Sequence, residues 1–134
     1  MKKFAVLIYP DFSLQEITCL TSALSVWFGE KIDFIASEKG EYKSEEGLFV
    51  FPAKTTEETK ITDYDCLILP GTINPLPALF DEKLIGFLKS GAETDVVFAA
   101  ISSAPLLLLK AGILKNKKFT GGFFMQMAEV FSFC

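Results

Sequence analysis

Short apolar runs that alternate with longer amphipathic stretches are the feature that most restricts the fold of this chain. Four runs have the length and composition of strands: Phe4 to Tyr9, Lys31 to Ala36, Asp65 to Leu69 and Asp95 to Ile101. This alternation is typical of βαβ units, in which helices bury both faces of a parallel sheet. The sequence therefore predicts an α/β domain with a mostly parallel sheet between two helical layers.

Helical patterns lie between these strands. A helix is expected from Ser13 to about Phe28, and six of its residues form one broad apolar side: Leu14, Ile17, Leu20, Leu24, Trp27 and Phe28. A second helix is expected from near Asp81 to Gly91. A third should run from Pro105 to Ala111, because proline is well tolerated in a first helical turn.

The remaining segments are less regular. Gly47 to Phe51 is predicted to be a short strand or hairpin arm, and Lys54 to Asp63 a polar surface connection. Thr72 to Pro77 is expected to be a proline-rich loop, and Lys118 to Thr120 a short strand. Phe123 to Phe133 has the pattern of a final apolar helix.

Length and composition exclude several classes of protein. The 134 residues fit a single domain, 1–134, and no apolar run reaches the roughly 18 residues that span a bilayer. A net charge of −4 with scattered lysines argues against nucleic acid as a partner. Cys19, Cys66 and Cys134 show no pairing pattern, which predicts a cytoplasmic location. Without histidine, neither a Cys/His zinc site nor an imidazole base is available, and no metal or cofactor is expected.

Polar residues follow three of the predicted strands. Glu16 lies after the first strand, Gly71 and Thr72 follow Asp65 to Leu69, and Ser102 and Ser103 follow Asp95 to Ile101. Parallel sheets bind ligands beyond the carboxyl ends of their strands. A strand that turns sharply into a helix also presents the side chain at the turn to solvent. We therefore predict a nucleophile elbow in outline at Ser102.

These motifs resemble a known family. I-L-P-G at 68–71, A-A-I-S-S-A-P-L-L-L-L-K-A-G-I-L-K at 99–115 and a glutamate in the first helix are similar to the ThiJ/PfpI superfamily, which is class I glutamine amidotransferase-like. The resemblance implies a flavodoxin-like three-layer αβα sandwich and a homodimer. It also implies that Ser102 stands where the family has its reactive cysteine. Glu16 would be the glutamate bonded to that cysteine, and Gly71-Thr72 the loop that supplies oxyanion amides.

The sequence departs from the family pattern in two ways. Serine replaces cysteine at the elbow, and the segment where the family often has a histidine reads K-F-T-G-G-F-F-M-Q, which leaves Glu16 as the only candidate base. Members of the family also continue with further strands and a closing helix. The domain is therefore expected to lack those elements, and the apolar residues of 123–133 are expected to form an interface, at least in a dimer.

Structural alternatives compete with each functional interpretation. Ser13 and Glu16 have the spacing of a capping box, and Ser102 and Ser103 could cap the helix that begins at Pro105. Cys19 and Cys66 could be small core residues, although Cys19 is near the proposed pocket, and Gly71 could serve a turn. The acidic cluster Glu38, Glu41, Glu45 and Glu46 is interpreted as a solvated loop and not as a metal site.

Three functional hypotheses follow. The first is a domain that binds a small carbonyl or anionic ligand between Glu16, Gly71, Thr72, Ser102 and Ser103, without fast covalent turnover. The second is a hydrolase or amidase, resembling proteases or glutamine amidotransferases, in which Ser102 attacks a carbonyl and Glu16 acts as base. Amides near Gly71 and Ser103 would form its oxyanion hole. The third is a truncated fragment without activity.

Overall fold

Parallel strands and short helices alternate along the part of the chain that the computed structural model describes, residues 1–123. The strands are β1 (Lys3–Ile8), β2 (Lys31–Ala36), β3 (Tyr42–Lys43), β4 (Phe49–Val50), β5 (Lys54–Thr55), β6 (Cys66–Leu69) and β7 (Val97–Ala100). The helices are α1 (Gln15–Ser22), α2 (Leu76–Leu79), α3 (Glu82–Lys89) and α4 (Pro105–Lys110). A π-helical turn, Ala23–Trp27, continues α1, and a 3-10 turn, Ile61–Asp63, precedes β6.

The main sheet has five parallel strands in the order β5-β2-β1-β6-β7. Its central strand is β1, in which Phe4 lies opposite Ile32 on one side and Cys66 on the other. Ala5, Val6 and Leu7 are completely buried there. The strand β2 lies on one side of β1 in the sheet, and β6 lies on the other side. The carboxyl ends of β1 and β6 therefore form a topological switch point, where open α/β sheets have their ligand crevice.

The predicted α/β fold is confirmed. All four predicted main strands are present, and so are the helices predicted near Asp81 and at Pro105, with ends that differ by one or two residues. Asp81 caps α3, because its side chain accepts a hydrogen bond from the Leu84 N–H at 3.1 Å. The hairpin arm predicted within Gly47 to Phe51 is β4, which pairs antiparallel with β3.

Other local predictions were wrong. Lys54–Thr55 is an edge strand and not a surface connection, because the neighbouring Thr56 N–H continues the ladder to Ala36 at 2.9 Å. The predicted proline-rich loop contains the start of α2, with a proline in its first turn. The predicted buried strand β7 ends the sheet of the described residues, and Val97 is 59% exposed. Residues 118–120 form no strand, and the helix predicted over Phe123 to Phe133 lies almost wholly outside the described residues.

The first helix is not uniformly amphipathic. Ile17 is buried and Leu14 and Leu24 are partly buried, but Trp27 is 81% exposed and Phe28 is 70% exposed. The π-helical turn has more residues per turn than an α-helix and so changes the direction of the side chains that follow residue 22, but Leu20, which is 39% exposed, lies before it in α1. Within residues 1–123, no helix is both long and apolar enough to cross a bilayer.

Candidate functional site

The carboxylate of Glu16 and the side chain of Ser102 meet at Gly71, at the switch point. Gly71 follows Pro70 at the end of β6, and its N–H donates a hydrogen bond to Glu16 Oε2 at 2.8 Å. A methyl group placed on Gly71 would lie 2.8 Å from Glu16 Oε2 and 2.9 Å from Ser102 Cβ. The two side chains therefore approach the same point from opposite elements, α1 and the β7–α4 turn. Only a residue without a Cβ atom fits between them.

Ser102 has the backbone geometry of an elbow. Its φ is 56°, in the left-handed region that residues other than glycine rarely adopt, and it stands between the end of β7 and the start of α4. The side chain is exposed, and within residues 1–123 its hydroxyl makes no hydrogen bond. Backbone strain of this kind is common where a strand-to-helix turn presents a reactive or binding group.

The side chain of Ser103 holds the loop after β6. Its Oγ accepts a hydrogen bond from the Thr72 N–H at 3.0 Å and donates one to the Thr72 carbonyl at 3.1 Å. Thr72 is anchored further, because its Oγ1 donates to the Pro10 carbonyl at 2.9 Å. Neither Ser102 nor Ser103 caps α4, whose N-cap is Ala104 without a side-chain bond. The capping alternative for these two serines was therefore wrong.

The amides near the elbow differ in their availability. The Gly71 N–H is bonded to Glu16 and the Thr72 N–H to Ser103, so neither of these two amides of the predicted oxyanion loop is free in this arrangement. The Ser103 N–H makes no hydrogen bond to any other residue in the described part of the chain. It belongs to the residue directly after Ser102.

Ser13 does not form the capping box with Glu16. Its hydroxyl is buried and has no hydrogen-bond partner, and the Glu16 carboxylate is bonded to Gly71 instead. The start of α1 is capped from a distance by Glu46, which accepts from the N–H groups of Leu14 at 3.1 Å and Gln15 at 2.8 Å. The bond from the Gln15 N–H is the main cause that lowers the pKa of Glu46. Glu46 therefore has a structural role that the solvated-loop interpretation missed.

Tyr9 is a buried polar group that the sequence analysis did not identify. It follows β1, is 1% exposed, and its hydroxyl donates a hydrogen bond to the Pro70 carbonyl. Burial raises the pKa of Tyr9, and the negative charge of Glu16 raises it further. The available signal was a hydroxyl at the end of an otherwise apolar predicted strand, because a buried hydroxyl has to find a partner.

Gly122 also borders the elbow, a position that the sequence analysis did not assign to it. Its N–H donates to the Ser102 carbonyl at 2.6 Å, and a methyl group placed on it would lie 2.8 Å from Ser102 Oγ. A side chain at residue 122 would therefore crowd the Ser102 hydroxyl. The G-G pair was the signal in the sequence, because a close backbone approach requires glycine.

The cysteines and the acidic residues form no second centre in the part of the chain that is described. Cys19 is exposed on α1 and is not a core residue, contrary to that interpretation, whereas Cys66 is half-buried in β6 and burial raises its pKa. Among residues 1–123, no group of three histidine, cysteine, aspartate or glutamate side chains could hold a metal ion.

An apolar groove of about 430 Å³ lies apart from the elbow, between α1, β2 and the segment before β5. It is lined by residues such as Ile17, Phe34 and Phe51, and by none of Glu16, Gly71 and Ser102. Its polar groups, Asp33 and Lys54, are bonded to each other at 2.8 Å. We therefore place the candidate functional site at the elbow, on the basis of its chemical groups, and not at the groove on the basis of its volume.

The fold and the elbow together define a class: a flavodoxin-like α/β domain whose strand-to-helix turn faces a glutamate at the sheet's switch point. A sequence model of the DJ-1/PfpI family matches residues 2–130. The chain therefore belongs to the DJ-1/PfpI family.

Curated relatives agree with this assignment. The chain is 39% identical over 72 residues to "DJ-1 protein homolog E" of Arabidopsis thaliana, covering 54% of this chain and 18% of that protein. It is 28% identical over 114 residues to "Deglycase PfpI" of Pyrococcus furiosus, covering 85% of this chain and 62% of that protein. The chain thus spans less than two thirds of either relative.

Solved structures agree in fold. A DJ-1 superfamily protein from Agrobacterium tumefaciens superimposes with a TM-score of 0.83 at 24% identity, covering 96% of this chain and 68% of that one. At this level of identity the likeness concerns the fold alone.

Proposed function

We propose that this domain binds a small neutral carbonyl compound at the elbow and does not turn it over rapidly through a covalent intermediate. The observation that carries the proposal is the exposed Ser102 at φ 56°, whose Cβ atom and the Glu16 carboxylate both lie next to Gly71. A carbonyl oxygen placed there could accept hydrogen bonds from the Ser102 hydroxyl and the Ser103 N–H. Both donors have no other partner among the described residues.

The Glu16 carboxylate favours a neutral ligand over an anion. A negative charge close to the Gly71 amide repels a second negative charge in a half-buried site. Ligands that also carry a hydroxyl group, such as small hydroxyketones, could donate a hydrogen bond to the Glu16 oxygen that Gly71 does not occupy. Relatives that bear the name deglycase support a carbonyl ligand, because glycation begins with a carbonyl group.

The absence of a strong base limits covalent chemistry. A serine hydroxyl needs a base to become a nucleophile, whereas a cysteine can be partly ionised by its surroundings. The chain has no histidine, and Glu16 already accepts a hydrogen bond from Gly71. A carboxylate is a weak base for an alcohol, so attack by Ser102 is expected to be slow.

A titration followed by amide NMR tests the binding proposal. Hydroxyacetone, a small neutral ketone, is expected to shift the amide signals of Gly71 and Ser103, and acetate is expected to leave them unchanged. Ser102→Ala should weaken the hydroxyacetone response, whereas Ser25→Ala, which removes an exposed hydroxyl on another surface, should not. Shifts produced by acetate alone, or a response that survives in Ser102→Ala, would contradict the proposal.

A serine hydrolase or amidase is the second candidate, favoured by the strained and exposed position of Ser102. In that reaction the hydroxyl oxygen would form a bond to the substrate carbonyl carbon as the C=O π bond opens, and Glu16 would take the hydroxyl proton. The bond to the leaving amine or alcohol would then break as that group receives the proton, and water would hydrolyse the acylated Ser102. A fluorophosphonate probe distinguishes the two candidates. If it labels the protein at Ser102 on the timescale of minutes and Ser102→Ala remains unlabelled, the hydrolase interpretation replaces the binding one.

A further inference from the structure

We propose that Tyr9 is a positioning residue that holds the Pro70–Gly71 peptide group so that the Gly71 N–H faces Glu16. The inference deepens the proposed function, because it assigns the residue that orients the glutamate of the elbow. It rests on two hydrogen bonds made by this peptide group. Its carbonyl accepts one from the Tyr9 hydroxyl, and its N–H donates the other to Glu16.

The geometry of a peptide group links these two bonds. The Pro70 carbonyl and the Gly71 N–H belong to one planar unit and point in opposite directions. Tyr9 donates to the carbonyl end, and Glu16 accepts from the N–H end at 2.8 Å. Any rotation of this unit about its flanking bonds would weaken both hydrogen bonds together. The orientation of the Glu16 carboxylate therefore depends on a hydroxyl that does not touch it.

Burial explains why this position needs a tyrosine. Pro70 and Gly71 are buried, so the Pro70 carbonyl cannot turn to water when it lacks a protein donor. Phenylalanine would fill the same volume as the Tyr9 ring but would leave that carbonyl unpaired. The Tyr9 hydroxyl also polarises the peptide group, which strengthens the hydrogen bond that the Gly71 N–H donates to Glu16.

Tyr64 provides a matched control. It is also buried, and its hydroxyl donates to Asp33 Oδ2 at 2.8 Å. Tyr64→Phe and Tyr9→Phe each remove one hydroxyl and one hydrogen bond, which is part-buried at Tyr64 and buried at Tyr9, but only Tyr9 bonds the loop after β6. A merely structural role predicts similar effects of the two substitutions on the Gly71 amide.

Hydrogen exchange of the Gly71 amide, measured without ligand, separates the two possibilities. In Tyr9→Phe we expect the Gly71 N–H to exchange faster by about tenfold relative to amides in β1, the equivalent of losing roughly one net hydrogen bond. In Tyr64→Phe the same ratio should stay at its value in the natural chain. An unchanged ratio in Tyr9→Phe, or an equal change in both variants, overturns the proposal.

A second variant keeps the proposal testable if Tyr9→Phe fails to fold. Glu16→Gln changes the half-buried acceptor at the other end of the two linked hydrogen bonds. It is expected to shift the NMR signals of the Tyr9 ring but not those of the Tyr64 ring. Ring signals of Tyr9 that do not respond overturn the linkage. These measurements need no ligand, so failure of hydroxyacetone to bind would refute the proposed function alone and leave the role of Tyr9 standing.

Discussion

Replacement of Gly71 by alanine is the sharpest test of the way the site is assembled. The φ angle of Gly71 is not in the left-handed region, so the backbone itself permits alanine and only the contacts of the new methyl group matter. That methyl would lie 2.8 Å from Glu16 Oε2 and 2.9 Å from Ser102 Cβ. Carbon atoms in favourable contact are separated by about 3.5–4.0 Å.

The magnitude follows from which neighbour can move. The Glu16 carboxylate is the end of a flexible side chain and can swing away, which breaks its bond to the Gly71 N–H. Ser102 Cβ is attached to a constrained backbone, so the loop has to shift to relieve that contact. Overpacking of this kind costs about 1–3 kcal/mol. The lower entropy of the unfolded chain returns about 0.4–1 kcal/mol, and a net loss of roughly 1–2 kcal/mol is expected.

Gly86→Ala is the matched control. Gly86 lies inside α3 and a methyl group there would meet nothing within 4 Å, so alanine should stabilise the helix by up to about 1 kcal/mol. Urea unfolding monitored by circular dichroism compares the two variants, and the hydroxyacetone titration should be lost only in Gly71→Ala. If Gly71→Ala is as stable as the natural chain and still responds to hydroxyacetone, Glu16 and Ser102 do not converge on Gly71.

Two further predictions concern the helix starts, and both can be measured as free energies of unfolding in urea. Ser13→Ala is expected to be neutral or stabilising, because the Ser13 hydroxyl is buried without a hydrogen-bond partner. Asp81→Ala should lower the free energy of unfolding by about 0.5–2 kcal/mol, because it removes the hydrogen bond from the Leu84 N–H. If Ser13→Ala proves the more destabilising of the two, the assignment of caps is refuted. Glu46→Gln should destabilise the protein at neutral pH, because the folded state holds the pKa of Glu46 below its ordinary value of 4.5 through the Gln15 N–H. The stabilisation from this hydrogen bond is present above the ordinary pKa and is lost as the pH falls through the lower folded-state pKa. The difference in unfolding free energy between Glu46→Gln and the natural chain should therefore disappear on acidification. A difference that is constant with pH would contradict the capping role of Glu46.

Local pattern was sufficient to predict the fold class. The lengths and periodicities of the apolar runs depend on neighbouring residues alone, and they identified the four main parallel strands and the helices of α3 and α4. The sharp turn at Ser102 was also predictable, because the predicted strand ends at Ile101 and the predicted helix begins at Pro105, which leaves only three residues between them. The edge strand β5 was missed, since its two polar residues have no periodicity of their own.

Hydrogen-bond partners were decided by the tertiary structure. The sequence offered Glu16 a nearby serine three residues away, yet its partner is Gly71, which becomes adjacent only because β6 pairs with β1. In the same way the cap of α1 comes from Glu46 across the hairpin, and Tyr9 reaches Pro70 across the sheet. The physical reason is that such bonds join residues far apart in the chain, and the order of strands in the sheet, which local patterns do not encode, determines which of them meet.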